Sequence, residues 1–103
     1  MGLQIVAKKR FLNSFKKITV YLKSEFGKTV AEDFNNIVLN KLDLIVAQPN
    51  IGVATAVKNI QCVIVGKVHQ NKIYYRVEKN KLIIINLIDV RQDPKKNPFN
   101  KNS

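Results

Sequence analysis

The chain has 103 residues, 46% of them hydrophobic, with 18 Lys and Arg against 7 Asp and Glu, a formal charge of +11. That length holds about one domain able to bury roughly two thirds of its unfolded surface, and the apolar content excludes a disordered chain. The charge points to an acidic partner bound in a salt-dependent way (nucleic acid, ribosome, anionic membrane or acidic protein), while one Cys and one His leave no internal disulfide and no zinc cluster.

The opening stretch, MGLQIVAKKRF, has its cations after a very short apolar segment, the reverse of a signal peptide. Within it, Leu3 to Ala7 is β-compatible and suits an edge strand that starts a sheet. From Lys8 to Phe26 the apolar residues Phe11, Phe15, Ile18, Leu22 and Phe26 recur at spacings of three and four, with Lys9, Lys16, Lys17 and Lys23 between them. That spacing predicts an amphipathic helix with a basic outer face. The face is either simply solvated or a docking strip.

Gly27 ends this helix, because glycine tolerates the left-handed backbone of many helix C-termini. Thr29 then stands three residues before Glu32, a capping-box spacing that predicts the start of a second helix. It runs to about Ala47, with Val30, Phe34, Ile37, Val38, Leu42 and Ile45 as its buried stripe, and Pro49 stops it. So short a link between two long helices makes them an antiparallel hairpin, whose joint apolar face needs a sheet.

Residues 49 to 58 read as a loop, with Pro49, Asn50 and Gly52 as its turn formers. Ile60 to Val65 is a strand run containing Cys62, which reads as a small apolar sheet residue, since a lone cysteine without a nearby base is rarely a nucleophile. His69 falls in the polar link that follows, either as an exposed loop histidine or in a phosphate-contacting or proton-transfer role.

Two further apolar runs, Ile73 to Val77 and Leu82 to Val90, join at Lys79 and Asn80 and form a predicted β-hairpin. With a two-residue turn, Glu78 faces Lys81, Arg76 faces Ile83, Tyr74 faces Ile85 and Lys72 faces Leu87. Ile73, Tyr75, Val77, Leu82, Ile84 and Ile88 then share an apolar face, with Asn86 as its exception. Lys72, Tyr74, Arg76, Asp89 and Arg91 share the other with Ile83, Ile85 and Leu87. The longest apolar run, Leu82 to Ile88, is far short of the roughly 20 residues that span a bilayer. A cytoplasmic protein without membrane contact is therefore expected.

The order strand, helix, helix, three strands gives an α+β fold, with the helical hairpin on one face of a mainly antiparallel sheet. The other face stays open as a shallow groove. Cations beside an aromatic there suit phosphates and stacked bases. The blander account makes Arg76 a cross-strand ion pair with Asp89 or Glu78, and Tyr74 a cover for the sheet.

The element order, the Pro49-Asn50-Ile51-Gly52 turn, the His69-to-Val77 segment HQNKIYYRV and the ending LIIINLIDVRQDPKK together resemble the RelE/ParE family of toxins from bacterial type II toxin–antitoxin pairs. The resemblance runs from Ile5 to about Lys96. Its most specific pieces are Tyr75-Arg76, the apolar last strand and Arg91-Gln92-Asp93. It implies a single toxin domain over residues 1–96, and the polar, basic, Asn-rich composition of the end predicts a flexible tail over 97–103. The resemblance also implies a cognate antitoxin whose acidic or amphipathic segment wraps the toxin, with promoter DNA bound only through that complex and no cofactor or metal.

The family splits by target. One branch cuts messenger RNA on the ribosome without a metal, using groove cations and a Tyr or His near the C-terminus. Of that pattern this chain offers Lys72 and Arg91, with Arg76 as a neighbour. Residues 92–103 hold no Tyr or His, and His69 is the substitute available from the loop. Phosphate clamping without proton transfer gives limited acceleration. The catalytic candidates are thus Lys72, Arg76, Arg91 and His69. The other branch poisons DNA gyrase by binding, and Arg91-Gln92-Asp93 looks more like its strand end. The reading leans towards gyrase, with Lys72, Tyr74, Arg76, Arg91, Lys95 and Lys96 meeting target or nucleic acid. The ribosome-dependent nuclease is the alternative, and a non-toxic basic nucleic-acid-binding domain the third reading.

Overall fold

Apolar residues at helical spacing fold the first half of the chain into α1, Lys9–Phe26, and α2, Lys28–Ala47, in a computed structural model that describes residues 2–66 and 70–90. His69, Arg91, Lys95, Lys96 and the 97–103 tail lie outside the described residues. Phe11 and Leu22 of α1, and Ala31, Phe34, Val38, Leu42 and Ile45 of α2, are buried against the sheet or each other. Phe15 bridges the helices, 5.7 Å from the Phe11 ring and edge-on to Phe34 at 6.2 Å. Two residues expected in the stripes turn outward: Phe26 is 48% exposed and Ile37 is 42% exposed. Phe26 sits at the tip of the hairpin, where its ring meets Tyr21 edge-to-face at 6.4 Å.

The expected capping box between Thr29 and Glu32 does not form. Gly27, at φ +96°, serves at once as the end of α1 and the N-cap of α2, with no side-chain cap. Thr29 therefore falls inside the first turn, past the capping position. Glu32 instead lies 3.8 Å from Lys28, an exposed pair one helical turn apart.

Five strands form one sheet in the order β1, β5, β4, β3, β2: β1 is Gln4–Ala7, β2 Val53–Ala54, β3 Gln61–Val65, β4 Asn71–Glu78 and β5 Lys81–Asp89. The edge strand β1 runs parallel to β5, with Ile5 beside Leu82, and the remaining pairs are antiparallel. Gln4 N–H donates to the Asn80 carbonyl and Lys8 N–H to that of Ile84, both at 2.9 Å, fastening β1 at its two ends. The stretch expected to be entirely loop after Pro49 contains β2, whose two residues are ordered by pairing with Gln61 and Cys62 rather than by any pattern of their own.

The β4–β5 register starts as expected, with Glu78 opposite Lys81, Arg76 opposite Ile83 and Tyr75 opposite Ile84. A β-bulge then intervenes. Tyr74 lies opposite Asn86, Ile73 opposite Leu87, Lys72 opposite Ile88 and Asn71 opposite Asp89, leaving Ile85 as the extra residue. The expected pairs Tyr74–Ile85 and Lys72–Leu87 are therefore corrected, and the faces beyond the bulge exchange. Leu87 joins the helix-side core, Ile88 packs with Tyr74 on the opposite face, and Asp89 follows Asn71 instead of Lys72. The cause is Asn86 in the middle of an apolar strand. Its Oδ1 accepts the Leu87 N–H at 2.8 Å and the Ser14 hydroxyl of α1 at 2.9 Å, so the extra residue lets a polar side chain meet its partners inside the fold.

Candidate functional site on the open face of the sheet

Helices cover Ile73, Tyr75, Leu82, Ile84 and Leu87, so the opposite face of the sheet carries whatever the chain presents from its strands. Lys72, Tyr74 and Arg76 alternate along β4 on that face, as strand geometry requires. They do not form one cluster. Lys72 and Tyr74 line a cavity of about 550 Å³, whereas Arg76 lines a separate one of about 580 Å³ towards the Lys79 turn.

The first cavity follows the outer edge of β3, where β2 pairs only with Gln61 and Cys62 and stops. Its walls are mostly apolar, from Ile51, Val53, Val63 and Ile64, and two lysines contribute to them: Lys72 from β4 and Lys41 from α2. Lys41 was absent from the sequence-based candidates, although a signal existed. It stands three residues after Val38 and four before Ile45, a cation in the buried stripe of α2.

Tyr74 does not present its ring for stacking. It is 2% exposed, enclosed with Ile88 and flanked by Ile60, Cys62 and Ile85. The expectation of an aromatic platform is thereby corrected, because these apolar neighbours gain more by covering the ring than by leaving it wet. Burial pushes the Cys62 thiol above its usual value near 9.0, with the Lys72 charge and a hydrogen bond from Tyr74 partly offsetting it. The thiol therefore stays protonated at neutral pH, in keeping with a sheet residue rather than a nucleophile.

The second cavity has a different chemistry. Arg76 shares it with Asn50, Lys58, Asn59, Gln61 and Glu78. Arg76 Nε is 3.4 Å from Glu78 Oε2, a pairing along β4 rather than the cross-strand ion pair expected as the bland account of this residue, and the geometry falls short of a hydrogen bond. The Arg76 and Glu78 side chains are both substantially exposed, so solvent weakens the pair.

Between the two cavities runs the Pro49–Gly52 turn, held by Tyr75 from the helix-side face. The Tyr75 hydroxyl donates to the Pro49 carbonyl at 2.9 Å and accepts the Gly52 N–H at 2.9 Å, with Gln61 Oε1 at 3.2 Å as a second acceptor. Burial raises the phenol above its usual value near 10, offset in part by the Gly52 N–H and added to by Cys62. Gly52 is required here for space. A Cβ would lie 2.5 Å from Tyr75 Oη and 2.8 Å from the Gln61 Cβ. The sequence marked Pro49 to Gly52 and Tyr75 separately and gave no sign that they touch.

Among the described residues, then, the sheet offers an apolar cavity marked by two lysines and a polar cavity marked by Arg76 and Lys58. No described helix is long and apolar enough to cross a membrane. A family model described as "ParE toxin of type II toxin-antitoxin system, parDE" matches residues 5–94. Among solved structures, a chain of the "Chromosomal ParDE TA system from P. aeruginosa" aligns with a TM-score of 0.75, covering 86% of this chain and 97% of that one at 11% identity. That identity speaks for the fold alone. Comparison with curated proteins gave no match.

Proposed function

The chain belongs to the ParE family of toxins from type II toxin–antitoxin systems, and on that premise we propose that it arrests bacterial growth by binding DNA gyrase when free of its antitoxin. The observation that carries the binding reading is the lining of the β3-edge cavity. It supplies apolar surface, two lysines and a thiol that burial pushes further above its usual range, and no carboxylate or imidazole among the described residues. Such a surface can dock and hold a macromolecule, whereas RNA cleavage needs a base for the 2′-hydroxyl and an acid for the leaving group. The antitoxin neutralises this surface with an acidic or amphipathic segment, for which apolar walls bearing Lys41 and Lys72 are suited. Both partners are cytoplasmic, and on this reading so is the protein.

The test is induction of the chain without any antitoxin, following precursor incorporation into DNA, RNA and protein over the first minutes, together with a supercoiling assay on purified gyrase. DNA synthesis stopping first, with supercoiling inhibited, is the expected result. Protein synthesis stopping first, with messages cut on ribosomes, replaces the proposal with the nuclease and directs attention to Lys72, Arg76, Arg91 and His69. Unimpaired growth replaces it with a non-toxic nucleic-acid-binding role. Under the toxin reading Arg91→Ala weakens growth arrest without unfolding the protein, and full toxicity in the folded variant removes Arg91 from the site.

A further inference from the structure

The polar cavity at the turn end of β3 and β4 has its own construction. The 55–60 loop that forms one wall is tightly organised. Thr55 N–H reaches the Ile60 carbonyl at 3.2 Å, Ile60 N–H reaches that of Val57 at 3.2 Å, and the Thr55 hydroxyl accepts the Val57 N–H at 3.2 Å. Asn59 completes the turn in the left-handed region, at φ +68°. This loop sets Lys58 and Asn59 across from Arg76 of β4. Gln61, whose oxygen accepts from the Tyr75 hydroxyl at 3.2 Å, also lines the cavity and has an amino group still able to donate.

The ring of donors is thus a guanidinium, an ammonium and carboxamides, over an apolar floor of Val57, Ile60 and Val77. The single carboxylate among the lining residues, Glu78, sits 3.4 Å from Arg76 without a formed hydrogen bond. Arg76 Nε is buried without a hydrogen-bond partner, and the side chain as a whole is 40% exposed, so a ligand can reach the guanidinium through its remaining donors.

We propose that this cavity is a docking pocket for a carboxylate side chain of an acidic peptide segment, its aliphatic stem on Val57 and Val77 and its oxygens shared by Arg76 and Lys58. The planar fork of Arg76 suits a carboxylate bidentately, and Lys58 adds a point charge. A peptide is favoured over a nucleic-acid strand by the apolar floor and by Glu78, which a continuous run of phosphates would have to pass. The proposal rests on the toxin–antitoxin reading only for the source of the segment.

The test is fluorescence anisotropy with a short labelled peptide alternating Glu and Leu, its Gln-for-Glu counterpart, and oligo(dT) as a polyanion control. Arg76→Gln and Lys58→Gln are each expected to weaken the Glu peptide about tenfold, as loss of one charge-assisted hydrogen bond implies. Arg10→Gln, an equal charge loss on the exposed start of α1, weakens it less than about twofold, because screening limits distant charges. Glu78→Gln frees Arg76 and tightens binding by about twofold. The side-chain amide resonances of Asn59 and Gln61 shift on peptide addition. Lys58 is on an exposed loop, so its variant reports even where Arg76→Gln fails to fold.

The pocket is overturned if the Glu and Gln peptides bind alike. It is overturned equally if Arg76→Gln and Lys58→Gln cost no more than Arg10→Gln, or if they weaken oligo(dT) as much as the peptide. Copurification with an antitoxin tests the source separately. Peptide binding as expected with no antitoxin captured supports the pocket and removes the antitoxin reading.

Discussion

Tyr75→Phe tests whether one hydroxyl fixes the turn between the two cavities. The side chain is fully buried at 0% exposure, and its oxygen serves both the Pro49 carbonyl and the Gly52 N–H. Each neutral hydrogen bond contributes about 1 kcal/mol net, and a buried group left without a partner costs more, so the expected loss is about 2–3 kcal/mol. Against a total stability of roughly 5–15 kcal/mol, that lowers the midpoint of a thermal melt by about 10–20 °C. Gly52→Ala should cost about 1–3 kcal/mol by overpacking, since its Cβ would sit 2.5 Å from the same oxygen. The two changes are coupled: removing the Tyr75 hydroxyl relieves the contact with its oxygen but not the 2.8 Å approach to Gln61, so the double variant loses less than the sum. Urea melts of the four proteins measure this. The pH dependence has a definite sign as well. The folded phenol titrates above its usual value near 10, so its contribution is fully present below pH 10 and is lost as pH rises through the folded value. Wild type should therefore lose stability more steeply than Tyr75→Phe in that range. A Tyr75→Phe melt within about 0.5 kcal/mol of wild type would refute the account, because a change that small is typical of sites without such features.

Lys79 holds φ +58° at the first position of the β4–β5 turn, a region where a side chain is strained, so Lys79→Gly should raise stability by about 0.5–1 kcal/mol in urea. Asn86→Ala and Ser14→Ala should each destabilise by about 1–3 kcal/mol and be strongly non-additive, since they share one partly buried hydrogen bond; additive losses in a double-mutant cycle would contradict that link. Cys62 should react with iodoacetamide at pH 8 more slowly than a free thiol, and adding denaturant should speed it; rapid alkylation of the folded protein would contradict the raised thiol value.

Much of this fold is legible in the residues because hydrophobic spacing is a local signal. Phe11 to Leu22 and Phe34 to Ile45 report their helices without help from the rest of the chain. What escaped depends on partners remote in sequence. The run Ile83-Ile84-Ile85-Asn86 carries no alternation that marks a bulge, and the hydroxyl that makes Asn86 welcome in the interior belongs to Ser14, 72 residues earlier. β2 is ordered by β3, and the parallel seat of β1 beside β5 is a property of the assembled sheet. The candidate site divides the same way. Lys72 and Arg76 were found because they alternate on a strand, but that alternation says nothing of a wall between them.

That wall links stability to recognition. Ile51 lines the apolar cavity and Asn50 the polar one, and both belong to the turn that Tyr75 holds at Pro49 and Gly52. A residue facing the core thus sets the separation between two cavities of opposite chemistry along the β3 edge of the sheet. Two consecutive residues cannot slide past each other, so freeing the turn shifts both cavities together. Loss of the Tyr75 hydroxyl should accordingly alter binding at both sites even where the protein is fully folded, whereas Lys72 and Arg76 substitutions each alter one.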